Sequence, residues 1–434
     1  MNMPNYFIWT IGCQMNKAES QKVADFLENS GYQPADSMQK ADLVIINTCV
    51  VRQSAETKVL GMLGYLKGMK NHQPDLSILV TGCFVDSNIK QLQKNFPHVD
   101  LFFRPSGYSE LLSWLDSQTA HVPKQIKPAS VQNPHVTAFV PIVQGCNNFC
   151  SYCIVPYRRG REKSRQIDEV VCEVTGLTKH GVKEVTLLGQ NVNSYGKDLP
   201  SQPSLGDLLV NLNGISGLLR IRFLTNHPKD MSQQLIESVA CLDKVCRHIN
   251  LPLQAGSDHI LKAMRRDYTL EQYRQLVASI RKYIPDVALS TDIIVGFPDE
   301  SQEQFEQTLA ALKDIRFDTV HVAAYSLRSG TTASREYEDN TPPEIKKERL
   351  NKVEEVQTEI AAEINAELNG KSVQVLVEGK KDGKCYGRTR SNKLVFFKSH
   401  ENCLGRLVDV TILKTSPWSL QGHPTSQEIE YNDL

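Results

Sequence analysis

Short apolar runs, each followed by an amphipathic stretch of helical spacing, recur from residue 5 to about residue 330. In the first 120 residues "NYFIWTI" precedes "KAESQKVADFLENSG", and "ADLVIINT" precedes "RQSAETKVLGMLGYLKGM". A third run, "DLSILVT", follows. This change of period predicts βαβ units and a parallel sheet. Cys13, Cys49 and Cys83 each fall just past the end of one of these strands. Ligands of open α/β sheets bind at that edge, so cysteines 36 and 34 residues apart are expected to meet in space. One buried cysteine at a strand end is ordinary packing. Three in succession read as a three-thiolate site.

From 135 to about 330 there are six further strand candidates: "TAFVPIVQ", "EVTLLGQ", "RIRFLTN", "HINLPLQ", "VALSTDIIVGF" and "TVHVAAYS". Helical patterns at 166–180, 204–217, 229–245, 258–284 and 301–316 separate them. This is the alternation of a (β/α) barrel with six strands instead of eight, open on one side. The loop after its first strand, "VQGCNNFCSYCIVPYRRGRE", carries Cys146, Cys150 and Cys153 in the spacing C-x3-C-x2-C. Structural zinc takes four closed ligands. Three thiolates can instead hold three irons of a four-iron cluster and leave one open. Gly189-Gln190-Asn191, Asn226-His227, Gln254 to Ser257, and Gly296 fall at the ends of later strands, on the face where barrels build their sites. Arg158, Arg159, Arg161, Lys163 and Arg165 follow the cysteine loop; with Glu162 they give a local charge of about +4, which reads either as a path for phosphates or as a solvated helix start.

Residues 121–134, rich in Pro, Lys and polar side chains, read as a linker. A charged helix is expected over roughly 342–369, then short strands of a small antiparallel barrel and a frayed tail after Trp418. The domains expected are 1–120, 135–366 and 367–434. The formal net charge of zero hides a basic C-terminal module: Lys371 to Lys414 holds ten Lys or Arg against four Asp or Glu. Eleven cysteines in a chain this long are not a disulfide framework. Cys172, Cys241, Cys246, Cys385 and Cys403 read as packing residues. The N-terminus does not read as a signal peptide, and no run of about 18 apolar residues predicts a membrane span.

The C-x3-C-x-aromatic-C pattern, with Tyr152 as the aromatic, resembles the signature of the radical S-adenosylmethionine superfamily. With "GCQMN", "NTCVVR", "LLGQNVNSYG", "RIRFLTNHP", "LPLQAGSD", "LSTDIIVGFP" and "GRTRSNKLVFF", the chain resembles the MiaB-type tRNA methylthiotransferases from about residue 6 to 415. The resemblance implies an N-terminal methylthiotransferase domain, a radical barrel and a TRAM module. It implies two [4Fe–4S] clusters, one on Cys13, Cys49 and Cys83 and one on Cys146, Cys150 and Cys153. It implies a cytoplasmic, monomeric enzyme that adds a methylthio group at C2 of N6-isopentenyladenosine in tRNA. One S-adenosylmethionine would supply the methyl group and a second the radical. A flavodoxin- or ferredoxin-like electron donor and a sulfur donor would be partners. Tyr152, Gly189, Gln190, Asn191, Gln254, Ser257 and Gly296 are the candidates for holding S-adenosylmethionine or the target base. Arg158, Arg161, Arg388 and Arg390 are the candidates for holding RNA.

Other readings are a methylthiotransferase for a ribosomal protein or for threonylcarbamoyladenosine, and a non-catalytic Fe–S RNA sensor. The sequence departs from the family pattern at Asp299 ("GFPDE" for "GFPGE"), in "YSLRSGT" around Arg328, where prolines are expected, and at Asn226, where serine is expected.

Overall fold

The computed structural model describes residues 3–50, 53–86, 88–105, 107–118, 136–399 and 401–425. The expected linker and part of the "NTCVVR" motif lie outside them. The chain divides into two compact units. The first is built from the described residues of Met1–Gln132 with Gln144–Glu162 and Arg328–Thr331; the second takes the remainder.

The first unit holds a five-stranded parallel sheet of β1 (Asn5–Thr10), β2 (Gln33–Pro34), β3 (Leu43–Thr48), β4 (Ser77–Gly82) and β5 (Leu101–Phe102), in the order β2-β1-β3-β4-β5. Every residue of β3 is buried, as a central parallel strand covered on both faces requires. Val23 and Leu27 of helix Gln14–Asn29 and Leu111 and Leu115 of helix Tyr108–Gln118 pack in one core cluster. Val59, Leu63 and Leu66 of helix Gln53–His72 pack in the other.

The second unit carries β6 (Thr137–Pro141), then β7 (Val143–Gln144) and β8 (Lys163–Ser164) on either side of the cysteine loop, then β9 (Glu184–Leu188), β10 (Arg220–Phe223), β11 (His248–Asn250), β12 (Ala288–Val295) and β13 (Thr319–Ala324). The six long-expected strands form two parallel sheets, β6-β9-β10 and β11-β12-β13. A single bridge, Ile221 to Val245, continues beyond β10. Helices Leu205–Asn213, Leu270–Tyr283 and Gln302–Ile315 start with reciprocal capping boxes, Ser204/Asp207, Thr269/Gln272 and Ser301/Gln304, each closing two orphan N–H groups. The helix expected over 258–284 is two, Asp258–Ala263 and Leu270–Tyr283. Arg265 takes a left-handed φ of 56°, which ends the first.

Helix Pro343–Ala366 leads to a closed barrel of β14 (Ser372–Lys381), β15 (Lys384–Thr389), β16 (Leu394–Phe397), β17 (Leu407–Thr415) and β18 (Leu420–Pro424). β18 corrects the expectation of a frayed tail beyond Trp418: it pairs with both β16 and β17, and Leu420 is fully buried. Residues after 425 lie outside those described.

This small barrel is tied to the larger one by arginines. Arg220 donates to the carbonyls of Arg388 (2.6 Å) and Gln374 (3.0 Å). Arg222 pairs with Glu184 (2.8 Å) and donates to the carbonyls of Thr389 (2.6 Å) and Arg390 (3.1 Å). Arg390 returns a bond to the Val245 carbonyl (2.7 Å), and Lys393 pairs with Asp318 (2.6 Å). One Arg390 nitrogen, Nη2, therefore also joins the two modules. Arg388, half-buried, donates to the Asn392 carbonyl at 3.1 Å. Of the five packing cysteines, Cys246, Cys385 and Cys403 are buried, but Cys172 and Cys241 are exposed on helices. Among the described residues, no helix is long and apolar enough to cross a membrane.

Candidate functional site

Cys13, Cys49 and Cys83 follow β1, β3 and β4, three adjacent strands of one parallel sheet. The pairing carries the backbone to the cysteines: Ile11 N–H bonds to the Asn47 carbonyl at 3.0 Å, and Cys83 N–H to the Thr48 carbonyl at 2.9 Å. Glycine is required beside two of them. A Cβ on Gly12 would stand 2.7 Å from Cys49 Cβ, and one on Gly82 would stand 2.3 Å from the Thr48 oxygen. Both glycines have positive φ, 132° and 93°, which side-chain-bearing residues avoid. Under the cysteines lies a buried amide layer. Asn16 donates to the Thr48 carbonyl (2.8 Å) and to Asn47 Oδ1 (3.0 Å), and Asn47 donates to the Asn16 carbonyl and to Ser20. The Cys13 thiol points to Asn16 Oδ1 at 3.3 Å.

The second triad belongs to the same compact unit. Its loop is stapled at the ends: Asn147 N–H and Nδ2 donate to the two oxygens of buried Glu162 (3.1 and 3.3 Å), and Cys146 N–H donates to the Gly160 carbonyl. Gly145, at φ 78°, leaves room for the Arg161 carbonyl, which a Cβ would meet at 2.1 Å. Cys146 and Cys150 are buried and Cys153 partly so. Ile154, next to Cys153, packs with Val50, next to Cys49, and with Cys83 itself. An apolar seam therefore joins the two triads.

Burial pushes the Cys146 thiol up to about 11, against the N–H of Asn148 directed at its sulfur from 3.4 Å. Burial also raises Cys83, opposed by Arg159. Metal ligation displaces such protons. Among the described residues no three His, Cys, Asp or Glu side chains converge on one ion. An iron–sulfur cluster needs no such convergence, because each thiolate binds its own iron. Thiols gathered at one edge, glycine-made space and N–H groups aimed at sulfur fit a cluster in each place.

The basic run is not a free cationic strip. Arg158 pairs with Asp86 (2.8 Å), Arg159 is buried on Glu19, and Arg165 pairs with Glu173 (2.7 Å). Arg161 is exposed and stacks 4.5 Å above Phe149, whose ring meets Tyr157 edge-on at 5.9 Å. Lys163 is exposed.

In the larger barrel the strand-end polar residues gather at the carboxyl edge. Asn191 (2% exposed) donates to Asp230 at 2.7 Å, Asn226 (3%) donates to the Asn250 carbonyl at 2.8 Å, and Gln254 (8%) has a left-handed φ of 73°. Each keeps its amide oxygen buried with no hydrogen-bond partner. Buried acceptors left unmet are costly, and these three stand at the ends of successive strands. Asn226 was read at a strand end on this face, whereas Asp230, which accepts from Asn191, escaped the sequence reading.

Three other candidates have a different surrounding. Ser257 caps helix Asp258–Ala263 and lines a cleft of about 550 Å³ among outer helices, with Arg274 and Gln304. A Cβ on Gly189 would meet Val143 Cγ1 at 2.4 Å, and one on Gly296 would meet Lys346 Cγ at 2.5 Å. At both glycines an atom of the protein itself stands where a Cβ would need room. Tyr152 and Gln190 are half-buried. Asp299 stands in the left-handed region, φ 62°, and bonds Asn340. This explains the glycine expected there and how aspartate replaces it.

His227, on the same edge, is held down at about 2 by burial, with Arg266, Lys229 and Lys197 acting the same way. His248 is held at about 3 by burial, with Arg222 next. Both are neutral when folded and titrate near 6.5 when unfolded. The unfolded chain therefore binds two more protons below that pH, and stability falls as pH falls. The expected slope is about 1.4 kcal/mol per pH unit for each histidine. Urea unfolding between pH 6.5 and 5 checks this, and His248→Asn should remove one histidine's share of the slope.

Residues 140–312 match the Radical SAM superfamily, residues 366–425 the TRAM domain, and residues 5–104 a family described as uncharacterized, UPF0004. The radical S-adenosylmethionine methyltransferase TsrM from Kitasatospora setae has a related fold, with TM-score 0.55 and 14% identity over 77% of each chain. The parallel barrel and its three-cysteine loop thus define a radical S-adenosylmethionine protein, a class that uses a [4Fe–4S] cluster and S-adenosylmethionine. The tRNA-2-methylthio-N(6)-dimethylallyladenosine synthase of Dehalococcoides mccartyi is 50% identical over 96% of this chain and 98% of its own. That of Acetivibrio thermocellus is 48% identical over 96% and 90%. The chain belongs to the family of these synthases.

Proposed function

We propose that this enzyme methylthiolates C2 of N6-isopentenyladenosine at position 37 of tRNA, with S-adenosylmethionine as both methyl donor and radical source. The observation that carries the reading is the pairing of two cysteine triads in one unit, joined through Val50, Cys83 and Ile154. A barrel cluster alone would serve hydrogen abstraction; sulfur insertion needs a second place to hold sulfur. Cys146, Cys150 and Cys153 would hold the first cluster and Cys13, Cys49 and Cys83 the second. When bound, the first supplies the electron that cleaves S-adenosylmethionine to a 5′-deoxyadenosyl radical.

The protein's share is positioning. The unmet oxygens of Asn191, Asn226 and Gln254 suit N–H donors such as an ammonium or an exocyclic amine. Tyr152, Gly189, Gln190, Ser257 and Gly296 remain candidates for holding S-adenosylmethionine or the target base. Arg161 over Phe149, with Tyr157 beside it, is a cationic and aromatic platform of the kind on which unpaired bases stack. Arg158 and Arg388 would flank the RNA. The three-part division 1–120, 135–366 and 367–434, the external electron and sulfur donors and the monomeric, cytoplasmic state belong to the same proposal.

Mass spectrometry of tRNA nucleosides from cells lacking the protein tests it. The 2-methylthio nucleoside should vanish and N6-isopentenyladenosine should accumulate. An unchanged 2-methylthio level would reject the substrate and favour a ribosomal-protein or threonylcarbamoyladenosine target.

A further inference from the structure

Arg159 ends a short helix, Val155–Arg159, on the loop of the second triad, yet its side chain lies among the residues of the first. Its Nε–H donates to Cys83 Sγ at 3.3 Å. Its two terminal nitrogens grip Glu19 at 2.5 and 3.2 Å. Nη2 also reaches Asn16 Oδ1 at 3.5 Å, the same oxygen the Cys13 thiol addresses. Both partners of the ion pair are 4% exposed. A charge so buried costs several kcal/mol unless every donor is used, and the planar fork of arginine uses them where a lysine could not. Around it, Arg158 pairs with Asp86 and Ile154 packs on Cys83, so the helix is fixed on this face independently of Arg159.

We infer that Arg159 is a positioning and charge-balancing residue of the N-terminal triad, delivered by the cysteine loop of the other. This rests on the reading that Cys13, Cys49 and Cys83 hold a cluster. Reduction potentials of such clusters follow net charge and the hydrogen bonds to their sulfurs. Arg159 supplies a positive charge and one N–H···S bond, and Glu19 offsets that charge. Removing the guanidinium makes reduction harder; removing the carboxylate makes it easier. A purely structural ion pair would not move the potential in opposite directions from its two ends.

The test uses the full chain with Cys146, Cys150 and Cys153 changed to alanine, so that only the N-terminal triad can be loaded. Iron is counted after anaerobic reconstitution, and the midpoint potential is followed by EPR. Arg159→Gln should shift it to more negative values and Glu19→Gln to more positive ones. Arg159→Lys, which keeps charge and loses the fork, should fall between wild type and Arg159→Gln. If the parent binds no iron, the cluster reading fails and the inference with it. If Arg159→Gln or Glu19→Gln loads fully with an unmoved potential, the inference alone is overturned. Should Arg159→Gln fail to hold iron, Glu19→Gln and Arg159→Lys decide by the same criterion.

Discussion

Alanine at Cys146, Cys150 and Cys153 together is expected to abolish 5′-deoxyadenosine formation and to leave about half of the roughly eight irons of a fully loaded chain. Alanine at Cys13, Cys49 or Cys83 should remove methylthiolation and spare cleavage of S-adenosylmethionine. The two outcomes follow from where the thiols stand. The first set sits on a loop closed by its own bonds, Asn147 to Glu162 and Cys146 to Gly160. The second sits on a rigid sheet edge over the Asn16–Asn47 amide layer. Each frame is closed by bonds of its own. The joint is Cys83, which packs on Ile154 and accepts from Arg159. Cys83→Ala is therefore expected to disturb the loop more than Cys13→Ala, which is the cleaner variant. The checks are iron content and 5′-deoxyadenosine yield on the same reconstituted sample. A folded Cys13→Ala chain that keeps the cluster on Cys146, Cys150 and Cys153 and shows no cleavage would refute the division of labour.

Much of this arrangement was legible because strand period and cysteine position are both local signals. The apolar run "LVII" passes through "NT" directly to Cys49, so β3 and its edge could be placed from the sequence, and parallel neighbours followed from the alternation. The fates of cations were not legible. In "YRRGRE" three arginines look alike, but the short helix and the Gly160 turn, φ 80°, send Arg158 to Asp86, Arg159 to Glu19 and Arg161 to Phe149. A charge run reports composition; only the fold assigns partners. The same holds for Arg390, whose use is set by the docking of one barrel on another. β18 was missed because "LQGHP" has weak strand propensity, and its pairing is dictated by barrel closure from both sides. Gly296 is a related case: close approach was read correctly, and the atom nearest a Cβ there, Lys346 Cγ, comes from a distant helix that no local pattern announces.

The other large effect is expected at the docking arginines. Arg222 and Glu184 are each 5% exposed, and Arg222 also donates to the Thr389 and Arg390 carbonyls. Arg222→Met leaves Glu184 buried without its ion-pair partner and with one oxygen already lacking a hydrogen bond. Breaking a buried pair from one side costs about 3–5 kcal/mol, a large part of the roughly 5–15 kcal/mol that holds a domain. Adding Glu184→Gln to Arg222→Met should recover part of the loss, because it removes the stranded charge. Arg388→Gln changes a half-buried side chain whose nearest carboxylate, Glu378, is 3.8 Å away. It should cost well under the Arg222 effect, since exposed pairs contribute about 0–1 kcal/mol. Thermal unfolding of the full chain, alongside tRNA affinity, separates the roles. If Arg222→Met unfolded no earlier than Arg388→Gln, the two barrels would not be held by this network. A chain cut near Asn369 strips Arg220 and Arg222 of four carbonyl acceptors. Weaker tRNA binding by such a chain would therefore mix lost phosphate contacts with a loosened barrel. Arg161→Gln, which touches no docking contact, isolates the RNA effect: affinity should fall and its salt slope flatten while the unfolding temperature holds.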